Sequence, residues 1–466
     1  MLFIRRYGTG ETIYTDEEVA EMENQWEQLS PEAKREQRFQ KWLNPKGVTF
    51  VSPVAETAYK ERVQRLIDAY SVKEPDRVPV VARTGSIPAY QYGLNYKTLS
   101  YDYEKAAEVF SRFNEEHAVD LDSYAVPYAI SPGRVLDILD YKLYNWPGHG
   151  LPDDSRGYQY VEEEYMKVDE YDAFLRDPSD FWLRTYLPRV FGVLDSFRMI
   201  KPLTHIIELP MTDFSALARP DVQAALQALI DAGKEYGKYS QMAVEFSRGM
   251  LSSGYPATMG GYCKAPFDTL GDTLRGTKAV LMDMYRRPDK VLEAVDKITD
   301  LTISTTIASA NVLSCPVVTF PLHKGADGWM NQKQFEKFYW PSLKKVVNAL
   351  INEGIMVQLF AEGSYNSRLD SVNEFPKGSI IWWFDQTDIA RAKAILGDKC
   401  CICGNLPSSL LVTGSPQQVK EACRDLINVA GKGGGYILSP GAMADEAKLD
   451  NLKAMVEAAK EYGIYR

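Results

Sequence analysis

The chain has 466 residues, 45% of them hydrophobic and 25% charged, with a formal net charge of −10; this is the profile of a globular protein long enough for one large barrel with an added element, or for two domains. The acidic balance argues against a nucleic acid or an anionic membrane surface as partner. No stretch approaches the roughly 20 consecutive apolar residues of a membrane helix, Met1–Thr12 has no signal core or cleavage site, and six cysteines in so long a chain do not suggest a disulfide framework, so the expected setting is the cytoplasm with reduced thiols.

Residues 15–44 are rich in helix formers and charge, with Thr15 as N-cap and Pro45 as stop, and a second helix runs from Pro53 to Ser71. Residues 1–76 therefore read as a helical extension that covers the barrel or a partner subunit. RVPVVAR (77–83) is the first strand, set off by the Pro and Asp before it. A helix near 101–117 and a second strand, VDLDSYAVP (119–127), follow. The stretch 131–172 holds Gly, Pro, Trp and six tyrosines with weak periodicity; so long an irregular segment in a compact domain is more often a lid or pocket wall than filler. Tyr158, Tyr160 and Tyr165 are its candidates for an aromatic wall, and His149 reads as a surface-turn histidine. Helices are expected at 179–199, 220–234 and 235–250, with a strand at THIIEL (204–209). GGYCKAPFDTLGDTLRGT (260–277) is a loop and helix start carrying Cys263, Lys264, Asp268, Asp272 and Arg275. A helix spans 288–309.

From Pro316 onward the chain becomes regular. PVVTFPLHKGAD (316–327), MVQLFAEG (356–363), SIIWWFDQTD (379–388), CCICGNLP (400–407) and GGYILSPG (434–441) are each a short apolar run closing on polar residues. Helices at 334–354, kinked at Pro341, at 415–431 with Ser415 as N-cap, and at 449–463 alternate with them. Short connections and this alternation favour a single α/β barrel over two unrelated domains, with the residues after the strands on one rim. Those residues are His323, Lys324 and Asp327; Glu362; Asp385 and Asp388; Cys403 and Asn405; and Ser439.

Each rim residue has a functional and a structural reading. His323 and Glu362 end strands, where an unpaired buried carboxylate would be costly, and are read as catalytic; the alternative for His323 is a bond to a turn carbonyl. Asp385 orients a ligand or caps a helix, and Asn405 acts in the site or ties its own turn. Cys403 shares a strand face with Cys401, opposite Cys400, and is a metal ligand or a core thiol. Lys324 and Asp327 are outer substrate-binding candidates with Arg83 and Tyr160, while Trp382 and Trp383 read as barrel packing.

The runs LHKGADGWMNQKQFEKFYWPSLKKVVNAL (322–350), GDKCCICGNLPSSLLVTGSPQQVKEACRDLI (397–427) and GGGYILSPGAMADEAKLDNLKAMVEA (433–458) resemble the C-terminal half of the uroporphyrinogen decarboxylase superfamily, most of all its corrinoid-dependent methyltransferase branch. The resemblance covers about 77–466 and weakens before 200. It implies a (β/α)8 TIM barrel over 77–466 with its pocket at the C-terminal rim, and either decarboxylation of a tetrapyrrole or methyl transfer involving a cobamide on a separate corrinoid protein. The decarboxylase arginine motif is reduced here to Arg83 in VARTGSIPAYQYG (81–93), too few cations for four substrate carboxylates. Thiol-directed methyltransferases of the family hold zinc by a His-x-Cys pair and a cysteine in the SPG turn; here Phe360, Glu362 and Ala442 stand in those places. A mixed zinc set of His323, Glu362 and Cys403 is acceptable coordination chemistry.

The resulting expectation is a methyltransferase moving a methyl group from a small methylated donor, an aryl or alkyl methyl ether or a methylamine, to the cobalt of a corrinoid protein, with His323, Glu362, Asp385 and Asn405 as catalytic residues. The alternatives are decarboxylation of a uroporphyrinogen-like or other carboxylated substrate, with Arg83, Arg275 and Asp385 near the site, and a non-catalytic binding barrel. A homodimer is the expected assembly.

Overall fold

The computed structural model describes residues 24–127, 132–203 and 210–465; the Thr15 cap and the strand expected at 204–209 lie outside them. Three short strands, β1 (Tyr144–Pro147), β2 (Gly150–Leu151) and β3 (Gln159–Tyr160), form a small sheet of order β2–β1–β3. Six parallel strands follow in sequential order: β4 (Gly261–Tyr262), β5 (Val317–Leu322), β6 (Met356–Ala361), β7 (Ile380–Phe384), β8 (Cys401–Gly404) and β9 (Tyr436–Ile437). The first strand segment closes on the far edge of this sheet. Val80 bridges Leu438 in parallel, Val81 N–H donates to Leu438 O at 3.0 Å, and Asp122 N–H donates to Val80 O at 3.0 Å. The fold is a TIM barrel.

Every residue of β5 and β7 is buried, as expected of parallel strands covered on both faces. The register sorts the two faces. Pro321, Phe360, Trp383, Cys403 and Ile437 stand level on the inner face, with Thr319, Gln358, Ile381 and Cys401 one layer below. Phe320, Leu359, Trp382 and Ile402 point outward into the main core with the surrounding helices. The bottom of the barrel is closed by helices α1 (Pro31–Leu43) and α2 (Pro53–Tyr70), capped by Ser30 and Ser52. Trp42, Tyr59, Leu66 and Tyr70 from these helices pack against Val317, Met356, Ile381 and Cys401; burying aromatic and aliphatic side chains of this size stabilises by about 1.5–3 kcal/mol each. The opposite, C-terminal rim is left for chemistry.

Four elements differ from expectation. Residues 119–127 are not a strand, because the Asn114 side chain takes both Ala125 N–H (2.7 Å) and Ala125 O (2.8 Å), the groups a ladder would need. Residues 179–199 form a chain of short helical pieces with a π turn over Trp182–Tyr186 before Pro188, which has no N–H to continue an α-helix. Residues 220–250 form a single 33-residue helix, α3 (Pro220–Ser252), since Gly233 and Gly237 lie on its open side where nothing forces a break. Pro341 coincides with a π turn at Phe335–Tyr339 ahead of α4 (Trp340–Asn352), Ser415 caps Pro416–Leu426 in a capping box, and the strand expected at 77–83 is reduced to isolated bridges at Arg77 and Val80. Among the described residues no helix is long and apolar enough to cross a membrane.

Candidate active site

The rim is organised around Asp268 and Asp272, on the turn that follows β4. Their i, i+4 spacing places both carboxylates on one side of a helical turn. Asp268 is fully buried; its carboxylate accepts the backbone N–H groups of His323 and Lys324, each at 2.9 Å, and the Tyr339 hydroxyl at 2.7 Å. It thereby fixes the backbone at the end of β5. Asp272 takes the side chains: His323 Nδ1 at 2.6 Å, Lys264 Nζ at 2.7 Å, and Lys324 Nζ. Nδ1 therefore carries the donated proton and turns Nε2 toward the Glu362 carboxylate, 3.7 Å away.

The four groups titrate differently because their surroundings differ. Burial and the neighbouring Asp272 charge raise the Asp268 carboxyl. Burial acts on Asp272 in the same sense but is outweighed by the His323 hydrogen bond and the two lysines, so its carboxyl falls far below the usual range. Burial would discharge His323, but the Asp272 hydrogen bond and the charges of Asp268, Asp272 and Glu362 keep its pKa above the ordinary histidine value. Burial also pushes Glu362 above the ordinary glutamate value; His323 opposes the shift, and Asp268, Asp272 and Asp385 add to it. A histidine and a carboxyl that face each other, both with raised proton affinity, are a pair moved by their environment, the pattern of groups that bind charge or move protons. Glu362 is also available: among the described residues its carboxylate accepts no hydrogen bond, and its side chain is 41% exposed.

Below the mouth, Phe360 stacks on Trp383 at 3.7 Å, and the Arg83 guanidinium lies 4.3 Å from the Trp383 ring centroid. Arg83 donates to Gln358 Oε1 at 3.0 Å; its Nε is buried without a partner, and no described carboxylate pairs with it. Its φ of 49° lies in the left-handed region, unusual for a non-glycine residue. Above the mouth, the small sheet supplies the wall expected of 131–172. The Tyr144, Tyr158 and Tyr160 rings meet at 5.2 and 5.3 Å, and the Tyr160 hydroxyl donates to Asp272 O, tying the wall to the carboxylate turn. Tyr262 stands at the end of β4. Its ring is 66% exposed, yet burial, Tyr144, Glu362, Tyr158 and Asp272 all push its phenol upward.

The structure thus brings His323, Glu362, Arg83 and Tyr160 to the mouth or its walls. Asp385 accepts Gly363 N–H at 3.0 Å and stands beside Glu362, while the helix cap is provided by Asp388. Four other candidates are engaged elsewhere. Lys324 is buried, held by Asp272 and by Thr277 Oγ1 at 3.0 Å. Asp327 accepts the hydroxyls of Ser364 (2.8 Å) and Ser367 (2.6 Å), locking two rim loops together. Asn405 donates to Asp385 O at 3.1 Å and Thr387 O at 2.7 Å, tying its own turn. Cys403 is 1% exposed on β8, one layer down and three strands from β5, its thiol raised by burial. The expected trio of His323, Glu362 and Cys403 does not converge. Among the described residues no three His, Cys, Asp or Glu side chains are arranged to hold a metal ion, so the donor set does not fit zinc. His149 stacks on Trp146 at 4.1 Å and pairs with Asp137 at 3.0 Å, a turn role.

The residues that sequence reasoning left without roles are Lys264, Asp268, Asp272 and Tyr262. The Asp-x-x-x-Asp spacing was the one available signal for the two carboxylates.

The comparisons with known proteins bear on family and fold. The family model for uroporphyrinogen decarboxylase matches residues 216–462. Uroporphyrinogen decarboxylase of Coxiella burnetii (strain RSA 493 / Nine Mile phase I) is 24% identical over 254 residues, 54% of this chain and 67% of that protein. The enzyme of that name from Vibrio cholerae serotype O1 is 26% identical over 267 residues, 55% of this chain and 71% of its own length. A solved methyltransferase from Methanosarcina mazei shares the fold with a TM-score of 0.55 at 16% identity, covering 85% of this chain and 98% of that one.

Proposed function

The chain belongs to the uroporphyrinogen decarboxylase family, and on that premise we propose that it is a methyltransferase that moves a methyl group from a small methylated donor to the cobalt of a corrinoid carried by a separate protein. The observation that carries the reading is the Glu362 carboxyl facing His323 Nε2 at 3.7 Å on the C-terminal rim of the barrel. In such a transfer the bond from the methyl carbon to its heteroatom breaks with its electron pair staying on the heteroatom, and the reduced cobalt of the acceptor supplies the pair for the new bond. The protein must seat the donor, deal with charge at the leaving atom, and keep its methyl group accessible from the mouth. Glu362 and His323 face each other where that atom is handled, each with its proton affinity raised by its surroundings, and Asp272 fixes the orientation of His323.

The competing reading, decarboxylation of a uroporphyrinogen-like substrate, has the names of the curated relatives behind it. Its physical difficulty is charge: a substrate with several carboxylates needs several free cations. Among the described residues at the rim, Lys264 and Lys324 are bound to Asp272 and Arg275 to Asp283 at 2.8 Å, which leaves Arg83 and the His323 imidazole, too few for such a substrate.

The test mixes the protein with a reduced corrinoid protein and a panel of methyl ethers and methylated amines, following the absorption of the reduced cobalt. Loss of that absorption with at least one donor supports the proposal. Release of carbon dioxide from a uroporphyrinogen, with no donor methylating cobalt, overturns it.

A further inference from the structure

We propose that two copies of this chain pair antiparallel through the exposed face of α3, about a two-fold axis that passes between Gly233 and Gly237.

The helix buries one side and leaves the other bare. Ala232, Glu235, Phe246 and Met250 face the protein, whereas Leu226, Ile230, Gly233, Gly237, Ser240 and Val244 recur at alternating steps of four and three, the spacing that keeps a seam on one side of a helix over several turns. All of them but the half-buried Ser240 are exposed, Ile230 by 53% and Val244 by 52%. The two glycines call for a neighbour that a single chain does not supply. Glycine inside a helix costs about 1 kcal/mol relative to alanine, and a Cβ at either position would meet nothing within 4 Å. Among the described residues no contact requires the missing side chains; a second helix crossing there does, because the separation of two packed helices is set by the side chains at their contact.

The occupant that fits is the same helix. Turned about that axis, Leu226 meets the partner's Val244, Ile230 the partner's Ser240 and Gly233 the partner's Gly237, the isologous contact of a two-fold dimer. The same rotation brings together the apolar outcrops at the two ends of α3. At the C-terminal end Val51 N–H donates to Ser252 O at 3.0 Å, and Val51 and Val54 are exposed. At the N-terminal end the short helical piece Pro210–Ala218 leads into the helix with Phe214 exposed. Ser252 and Ala218 lie the same number of residues either side of the axis.

Charge and size agree with a second copy. Each copy carries a net charge of −10, so two copies repel unless they meet on a neutral face. The seam has no charged residue, and the flanking acids are neutralised within the chain, Asp221 by Arg219 at 2.9 Å, Asp231 by Lys234 at 3.1 Å and Glu235 by Lys238 at 2.7 Å. From Leu226 to Val244 the seam is about 27 Å long. A helix pair of that length covers less than the roughly 800 Å² per partner of a standard interface; the end outcrops extend it toward that size, and a reversible dimer with micromolar Kd is expected.

Sedimentation equilibrium on the full chain from about 1 to 100 μM tests this, with mass expected to rise from monomer to dimer. Ile230→Lys should weaken association at least about tenfold. Gly233→Ala combined with Gly237→Ala should do the same while raising the Tm of the dilute monomer, since alanine favours the helix; circular dichroism checks the fold of each variant. Thiol cross-linking above the wild-type level reads the direction of pairing. Tyr236→Cys, beside the axis, should join two copies, while Leu226→Cys, whose copies stand about 27 Å apart along the helices, should not. A monomer throughout the range, a dimer equally tight in the Ile230 and glycine variants, or cross-linking through Leu226→Cys rather than Tyr236→Cys overturns the proposal.

Discussion

Replacing Asp272 by asparagine should loosen the rim and lower the proton affinity of His323 in one step. Asp272 is 8% exposed and meets His323, Lys264 and Lys324; removing one partner of a buried ionic cluster costs about 3–5 kcal/mol, because the remaining charges stay buried without compensation. Unfolding entropy of about 2.1 cal/mol/K per residue gives about 1 kcal/mol/K for a chain of this length, so Tm at pH 7 should fall by about 3–5 °C. The sign with pH follows from the depressed Asp272 carboxyl. Its contribution is present above the ordinary carboxylate pKa and is lost as pH falls through and below 3.8, so the gap between wild type and variant should close in strong acid. Scanning fluorimetry across pH measures the gap, and the His323 ring signals in NMR report its titration, which should move down once the Asp272 bond no longer outweighs burial. An Asp272→Asn protein with unchanged Tm at pH 7 and an unchanged His323 titration would refute the assigned network.

Glu362→Gln should behave in the opposite direction. The folded pKa of Glu362 is raised, so its ionisation destabilises the fold as pH rises from about its ordinary 4.5 through the folded value; the glutamine variant should match wild type near pH 4 and melt higher at pH 8 by scanning fluorimetry. Asn405→Ala removes two ties from the β8 turn and should cost about 1–3 kcal/mol in urea unfolding. Tyr160→Phe cuts the link from the wall to Asp272 and should raise KM for the donor several-fold with kcat retained in steady-state assays.

The barrel was legible from Pro316 onward because each unit carries its own signals: an apolar run, a polar turn, a capped helix. The part before it was not, for particular reasons. The Asn114 side chain displaces the expected strand pairing at Ala125, and no local pattern around 119–127 announces a partner on a different helix. His323 and Glu362 were legible as strand-end residues, and Asp388 as the helix cap. Asn405 and Asp327 carry the same polar signature at the same kind of position, yet their side chains satisfy turn and loop groups; sequence position specifies the rim, while the direction of a side chain depends on neighbours far along the chain. Asp272 shows the converse. Its partners lie 51 and 52 residues downstream at His323 and Lys324 and eight residues upstream at Lys264, so its role emerges only when β4 and β5 are paired.

The most direct measurement is a single turnover with a donor carrying a deuterated methyl group, mixed with the protein and a reduced corrinoid protein and read by mass spectrometry. The account predicts one labelled methyl on cobalt for each donor demethylated, with the rate lowered at least roughly tenfold by Glu362→Gln and by His323→Ala in folded protein. Label that never reaches cobalt, or reaches it as fast in both variants as in wild type, would contradict it.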